Sequence, residues 1–232
     1  MDSSLHLVST WDLEVLTQDQ LVEILRKEVR LSNPNLSLLN NLFAAGIPVN
    51  YVSLNHIVID AAIYSTRKCL KILIDCGMNV DSASYCGETP IIAATKHNRY
   101  AIVKQLVEMG ANIGARDTQG RTSLHHAVLG KGRRLRDLLI ANGANIDAQD
   151  DRGWTPLHHA ASQNLMQTVR WLIERGADRS IATNDGHLPV NLVRRNPYTG
   201  SRRGHIPRRI DARVEEMKSI LQLDQHGERV AA

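Results

Sequence analysis

Apolar residues along this chain follow a helical spacing that restarts at a fixed interval. The stretch 153–160, Gly-Trp-Thr-Pro-Leu-His-His-Ala, has fainter copies that begin 33 residues apart, at Gly87, Gly120 and Gly186. A second apolar segment follows each of the stretches that begin at Gly87, Gly120 and Gly153. In the last of these segments, Val169, Leu172 and Ile173 show the three- and four-residue spacing of one helix face. A fixed period of this length predicts a stacked array, in which each unit buries its apolar face against its neighbours.

Turn and cap residues divide each unit into two short helices. In the unit that begins near Asp150, Thr155 is suited to cap a helix and Pro156 fits the first helical position. Asn164 is suited to a left-handed break before a second helix over about residues 165–174. We expect that second helix to end in left-handed glycine in each unit, at Gly77, Gly110, Gly143 and Gly176.

The Thr-Pro-Leu-His-x-Ala stretch over 155–160, with the Gly-Ala-Asn or Gly-Ala-Asp that begins at Gly110, Gly143 and Gly176, resembles the ankyrin repeat. The resemblance is specific over residues 84–182 and degenerate over the wider range 36–195. It implies an all-α solenoid of about five helix-turn-helix units, followed by a terminal half-unit. It also implies that His158 forms hydrogen bonds both locally and between units.

The two ends of the chain are predicted to cap the array, which we place at residues 36–195. In the N-terminal capping segment, 1–35, Thr17 and Gln20 form a capping-box pattern ahead of an apolar helical stripe. That helix either covers the first unit or recruits a ligase component. Residues 196–209 form a basic Arg/Gly/Pro loop, and 210–232 an amphipathic helix and tail that caps the array or binds a partner.

Composition supports a thin stack of helix pairs. Of the 232 residues, 43% are hydrophobic but only 4% are aromatic, so the core must consist mostly of Leu, Ile, Val and Ala. The first residues show no secretory signal, and no apolar stretch approaches the roughly 20 residues of a membrane-spanning helix. We therefore expect a cytoplasmic protein, with the nucleus as the alternative. Three cysteines without metal-type spacing, Cys69, Cys76 and Cys86, are expected to be reduced.

Much of the formal net charge of +4 gathers in one segment near the C-terminus. This basic patch consists of Arg194, Arg195, Arg202, Arg203, Arg208 and Arg209. Three interpretations compete for it: a solvated linker, a patch for nuclear import or an acidic partner, and a nucleic-acid contact. The last makes a basic, nucleic-acid-associated regulatory protein the first alternative function.

Two histidine pairs raise the question of a metal site. Ligand nitrogens must converge to about 2.1 Å from a zinc ion, whereas equivalent positions of His125–His126 and His158–His159 should lie about 10 Å apart in neighbouring units. We therefore predict no metal, and the sequence suggests no cofactor. It also contains no nucleophile elbow, phosphate-binding loop or zinc-protease motif, so we predict that the chain is not an enzyme.

The resemblance to ankyrin repeats implies binding of another protein through hairpin tips and the concave ends of the first helices. Carried over position by position, the partner-binding residues are Tyr85, Glu88, Lys96, His97, Thr118, Gln119, Arg121, Asp151, Arg152, Trp154, Ser162, Gln163, Asp185 and His187. Trp154 is the strongest candidate for an anchor, because exposed Trp is frequent at interface hot spots. The alternative is that its ring lies over Arg121 or Arg152 in a cation–π contact.

These observations predict a monomeric, non-catalytic intracellular adaptor or inhibitor. A ubiquitin-ligase substrate adaptor or a pathogen effector is a further alternative. One local departure is Arg136, which stands where neighbouring units have Val103 and Val169. We expect its charged group to reach solvent along its stem or to find a carboxylate.

Overall fold

The computed structural model describes residues 16–47, 54–130, 132–193 and 208–222. Within those ranges the regular structure is entirely helical, which confirms the predicted all-α fold class. The helices are α1 Gln18–Val29, α2 Leu36–Ala44, α3 Asn55–Tyr64, α4 Arg67–Asp75, α5 Pro90–Lys96, α6 Tyr100–Glu108, α7 Ser123–Leu129, α8 Arg133–Ala141, α9 Pro156–Ser162, α10 Met166–Glu174 and α11 Arg208–Gln222. A 3-10 helix, Pro189–Leu192, lies between α10 and α11.

The chain divides into two compact units, Met1–Thr118 and Gln119–Ala232. In the first unit, α1, α3 and α5 contact one another in order, and α2, α4 and α6 do the same. In the second unit, α7 packs on α9, and α9 packs on the 3-10 helix. Within each unit, each helix pair therefore rests on the next pair, as the repeat period predicts.

Side-chain caps fix where several of the helices begin. Thr17 and Gln20 form the predicted capping box at α1, and Thr155 caps α9 ahead of Pro156. Asn35 and Thr66 cap α2 and α4 by accepting backbone N–H groups three residues on. These short polar side chains satisfy amides that a helix leaves without partners.

Left-handed residues fix where the helices end. All four glycines predicted to close second helices have positive φ, as does Gly46 after α2. Asn164 has φ 54° between α9 and α10, as predicted, and Asn98 has φ 53° at the same place between α5 and α6. Short turns at both places hold each helix pair together.

Leucine, isoleucine, valine and alanine dominate the core, as the low aromatic content predicts. Ala160 and Ala161 are fully buried in α9, and Ala93 and Ala94 are fully buried in α5. Small residues at these positions allow adjacent first helices to approach closely. Cys69 is also fully buried, whereas Cys76 is half-buried and Cys86 is exposed, and all three are free thiols.

Packing at the two ends differs in detail from the predicted boundaries. α1 contacts α2 and α3 in the same way that α3 contacts α4 and α5. α1 and α2 therefore form a helix pair, and the predicted boundary at residue 35 falls inside it. α11 begins at Arg208, two residues inside the predicted loop. Its buried residues Val214, Met217 and Leu221 cover α10 and the 3-10 helix, so α11 caps the second unit.

Candidate protein-binding surface

A buried carboxylate organises the hairpin that precedes α9. Asp150 Oδ1 accepts the backbone N–H groups of Arg152 and Trp154, both at 2.9 Å, and Oδ2 lies 2.9 Å from Nε2 of His159. Burial by itself would raise the pKa of Asp150, but the hydrogen bonds from His159 and the two amides lower it on balance. An ionised carboxylate therefore holds this hairpin in one conformation.

Backbone hydrogen bonds join successive hairpins in the second unit. The N–H of Asp151 donates to the carbonyl of Gln119 at 3.0 Å, and the N–H of Asn184 donates to the carbonyl of Arg152, also at 3.0 Å. Gly153 has φ +75°, and a Cβ there would lie 2.7 Å from the backbone nitrogen of Asn184. Only glycine satisfies both the left-handed backbone and this close approach.

Two buried histidines connect α7 and α9 to the hairpins that follow them. The N–H of Thr155 donates to His158 Nδ1 at 3.1 Å, and His158 Nε2 donates to the carbonyl of His187 at 3.1 Å. His125 repeats the arrangement one unit earlier, with Thr122 N–H at 3.0 Å and the carbonyl of Trp154 at 3.0 Å. Because Nδ1 accepts, each ring is a neutral tautomer with its proton on Nε2. This is the local and inter-unit role that the resemblance implied.

Burial keeps these rings neutral. It lowers the pKa of His125 to about 4, against the opposing effect of the Trp154 carbonyl. The pKa values of His158 and His159 are lowered for the same leading reason. Neutral His159 can then donate its Nε2 proton to ionised Asp150.

Two histidine rings from neighbouring repeats lie close together. The rings of His125 and His159 are edge to face with centroids 5.4 Å apart, closer than the separation of about 10 Å expected for equivalent positions. The two are not equivalent, since His159 is one residue beyond the position that matches His125. Both nitrogens of His125 are hydrogen-bonded, and the part of the chain that is described contains no cluster of three metal-ligating side chains.

Trp154 is half-buried at the tip of this hairpin and contacts two other side chains. Its ring centroid lies 5.1 Å from that of His159, and the guanidinium carbon of Arg152 lies 5.0 Å from the ring in a cation–π contact. The cation–π contact that the sequence analysis gave as the alternative for Trp154 is therefore present, with Arg152 as the cation. The ring is not the freely exposed side chain that the sequence suggested, but a partly accessible one in a fixed orientation.

The family model for ankyrin repeats (3 copies) matches residues 31–117, 58–134 and 124–193. The chain belongs to the ankyrin repeat family. Ankyrin repeats are generally non-catalytic modules that mediate protein–protein interactions. No curated protein matches the chain significantly.

The ankyrin positions predicted to bind a partner are accessible in both units. In the first unit Tyr85 is 86% exposed with its ring 5.4 Å from that of His56, and Glu88 is half-buried in a 2.8 Å ion pair with Lys96. His97 and Thr118 are exposed there. In the second unit the half-buried members are Arg121, Trp154 and Ser162, and the exposed ones are Gln119, Asp151, Arg152, Gln163, Asp185 and His187.

The basic patch falls largely outside the described residues. Arg194, Arg195, Arg202 and Arg203 lie in the range 194–207, and only the backbone of Arg208 and Arg209 is described, at the start of α11. Among the described helices, none has the length and apolar character needed to cross a membrane.

Arg136 corrects a second expectation, since its side chain is buried and pairs with no carboxylate of the described residues. It is only 6% exposed, and its Nη1 donates to the carbonyl of Gly130 and to Thr168 Oγ1, both at 3.1 Å. Its guanidinium carbon lies 5.3 Å from the ring of Trp171. The contact between Arg136 and Trp171 had one signal in the sequence. Both residues differ from those at the equivalent positions of the other repeats, and they lie in successive second helices, α8 and α10.

Proposed function

We propose that this ankyrin repeat chain is a non-catalytic adaptor or inhibitor that binds a partner protein through its hairpin tips and the inner ends of its first helices. The observation that carries the proposal is the Trp154–Arg152 pair, which stands at a hairpin tip fixed by Asp150. Trp and Arg are the residue types most enriched at interface hot spots. A ring already held in place also loses little conformational entropy when a partner covers it.

The surroundings of Trp154 suit the centre of an interface in the second unit. Asp151 and Asp185 contribute negative charge on adjoining hairpins, and Arg121 and Arg152 contribute positive charge. Such a mixed polar rim around an aromatic anchor is typical of protein–protein interfaces. It favours a folded protein partner over a polyanion, which would require one sign of charge.

The first unit contributes a contact region of its own. Tyr85 is the most exposed of the large apolar side chains that the structure describes, and the ring of His56 supports it. The Glu88–Lys96 ion pair lies on the same hairpin and first helix. We expect Tyr85→Ala to weaken binding to the same partner, by less than the loss of Trp154.

Affinity capture followed by mass spectrometry tests the proposal. We expect wild type to recover a partner that both Trp154→Ala and Arg152→Glu lose. The matched control is Glu174→Lys, since Glu174 is exposed on the second helix α10. Equal recovery of every protein by all four chains would remove the hairpin surface as the binding site. Circular dichroism must show that the variants remain folded.

Cytoplasmic localisation, with nuclear entry directed by the arginines of residues 194–209, belongs to the same proposal. A fluorescent fusion of the wild type is compared with one in which Arg194, Arg195, Arg202 and Arg203 are changed to glutamine. We expect the wild type to be mainly cytoplasmic with a nuclear fraction, and the substituted chain to lose that fraction. An unchanged distribution would leave the segment as a linker.

A further inference from the structure

The second unit contains a buried positive charge that the hairpin surface does not use. Arg136 is 6% exposed, and among the described residues it forms no ion pair. The nearest acid along its helix is Asp137, but that carboxylate accepts from Trp171 Nε1 at 3.0 Å and from Arg175 at 2.7 Å. Asp137 therefore accepts hydrogen bonds from other side chains. Among the described residues, the guanidinium of Arg136 donates only to two neutral oxygens, the Gly130 carbonyl and Thr168 Oγ1.

A guanidinium that is buried without a counter-ion lowers the stability of the folded chain. Arginine stays protonated in proteins, and a buried charge without a counter-ion loses solvation that neutral acceptors replace only in part. Arg136 Nε is buried and has no hydrogen-bond partner within the described chain. Its two equivalent positions, Val103 and Val169, are fully buried apolar residues, so the fold itself does not require a cation there.

A cavity of about 720 Å³ lies against this charge. Its described lining includes Arg136 and Thr168, the apolar side chains of Leu129 and Met166, and the polar side chains of Gln167 and Glu216. Leu129 is 44% exposed, which is unusual for a large apolar residue in the described part of this chain. The cavity adjoins the α7–α8 and α9–α10 turns, at the opposite end of α9 from the Trp154 hairpin.

The start of α10 adds hydrogen-bond donors to the same wall. This helix has Leu165 at its N-cap and no side-chain cap. Gln167 and Thr168 occupy its second and third positions, where an α-helix offers no intrahelical acceptor to the amides. A helix start of this kind carries partial positive charge and attracts anions.

We propose that this cavity is a second binding site, which accepts the carboxylate of an acidic side chain from a partner protein. The carboxylate would lie over Arg136 and the first turn of α10, and an apolar residue beside it would cover Leu129 and Met166. The bound carboxylate would supply a counter-ion for the guanidinium of Arg136, and the apolar residue would cover the exposed side chain of Leu129. The site is separate from the hairpin surface and does not depend on it.

Charge favours a carboxylate over a phosphate group. Among the described residues that line the cavity, Arg136 is the only cation, and Glu216 contributes a negative charge that is paired with Arg170. A dianionic phosphate generally requires several cations, whereas one guanidinium and helix amides match a single negative charge. The apolar walls are also better suited to a short acidic-apolar peptide segment than to a free ion.

Two matched peptides test the proposal by amide NMR of the full chain. The probe is acetyl-Ala-Leu-Glu-Met-Ala-amide, and its control has Gln in place of Glu. We expect the acidic peptide to shift the amides of Thr168 and Gly130 and to bind about tenfold more tightly than the control, the effect of one charged hydrogen-bond pair. Arg136→Met should abolish this preference, whereas Arg133→Met, a change at an exposed position of α8, should preserve it.

Folding and binding can be separated in the same experiment. Replacing a lone buried charge by an apolar side chain of similar volume is often neutral or stabilising, so Arg136→Met should melt no earlier than wild type. Thr168→Val keeps the charge and should weaken binding severalfold, and Trp154→Ala should leave it unchanged. Equal binding of both peptides, shifts confined to the hairpins, no shift with either peptide, or the same shifts with inorganic phosphate would each overturn the proposal.

Discussion

Asp150 shows how much of this surface depends on one side chain. Its carboxylate connects two amides of the hairpin to a histidine on the following helix, and the pair with His159 is buried. Trp154 is in turn held against that histidine. The position of the proposed binding residue is therefore a consequence of buried polar contacts rather than of local backbone preference.

Replacing this carboxylate should loosen the hairpin. We expect Asp150→Ala to lower the free energy of unfolding by about 2–3 kcal/mol, because it leaves the Nε2 proton of His159 and two amides without acceptors. Urea denaturation measures the loss. Asp185→Ala removes an exposed carboxylate from the next hairpin and should change stability by less than about 0.5 kcal/mol. Equal effects would show that Asp150 has no special structural role.

The buried histidines predict sensitivity to acid. The pKa of His125 is lowered to about 4 in the folded chain, from an ordinary value of 6.5, and those of His158 and His159 are lowered as well. The unfolded chain therefore binds more protons as pH falls below about 6.5, and acid favours unfolding. We expect stability to be constant above this value and to fall towards pH 4, by up to about 3 kcal/mol for His125 alone.

Urea titrations at pH 7.5, 6, 5 and 4.5 measure this dependence. His97→Gln, a change at an exposed residue just after the first helix α5, should leave the slope unchanged. His125→Gln should reduce it, because the titrating group is gone. A wild-type stability that rises on acidification would contradict the neutral tautomers inferred from the hydrogen bonds.

At the scale of the element, left-handed glycines stand both in the hairpins and at the ends of the second helices, and the space around them differs between the two places. Gly143 has φ +91° and open space where a side-chain carbon would stand, whereas Gly153 has φ +75° with the backbone of Asn184 in the way. The first glycine is required by the dihedral angle alone. The second is required by the angle and by the neighbouring repeat.

This difference predicts two sizes of effect. We expect Gly143→Ala to destabilise by about 1–2 kcal/mol, the cost of a left-handed alanine. Gly153→Ala should cost more than that, because the added methyl group also displaces the Asn184 backbone. Thermal melting of both variants gives the comparison, and a Gly153 variant as stable as the Gly143 variant would argue against the close approach of the hairpins.

At the scale of the whole molecule, stability in a repeat array is a sum of neighbour contacts. The second unit ends in α11, whose Val214, Met217 and Leu221 are buried against α10 and the 3-10 helix. Removing part of this cover should loosen only the elements that it touches. The first unit has its own core and its own helix contacts.

Met217→Ala tests that nearest-neighbour character. We expect a loss of about 2–3 kcal/mol from the cavity left behind, with faster hydrogen exchange in α10 and the 3-10 helix. Exchange in α3 and α4 should not change. Glu215→Ala, at an exposed position of α11, is the control. Faster exchange throughout the chain would instead indicate one fully cooperative molecule.

The alternative function in nucleic-acid binding is also decided at this scale. Under the proposed adaptor function, binding to a DNA or RNA duplex should be weak and should not depend on the arginines of residues 194–209. Filter binding at several salt concentrations measures it, with the four-arginine glutamine variant as the comparison. Tight binding with a steep salt dependence that the variant lacks would favour the nucleic-acid alternative.

Sequence reasoning predicted the parts of this protein that depend on local chemistry. The 33-residue period gave the helix pairs, Thr17 and Thr155 marked helix starts, and the closing glycines marked helix ends. These features follow from capping, from backbone dihedral angles and from the spacing of apolar residues, all of which are visible within a few positions. The partner-binding residues came from the family resemblance and remain predictions, although the structure leaves all of them at least partly accessible.

Tertiary structure alone decided how side chains from different repeats meet. The ring of His159 approaches His125 from the next repeat, and Arg136 of α8 meets Thr168 and Trp171 of α10, to which no local pattern connects it. Arg136 was expected at a carboxylate or in solvent, yet packing placed it in the core beside a cavity. The amino-acid sequence thus determined the repeating element, because that depends on neighbours along the chain. The burial of Arg136 and the close approach of His159 to His125 depend on neighbours across repeats, and only the folded chain brings those together.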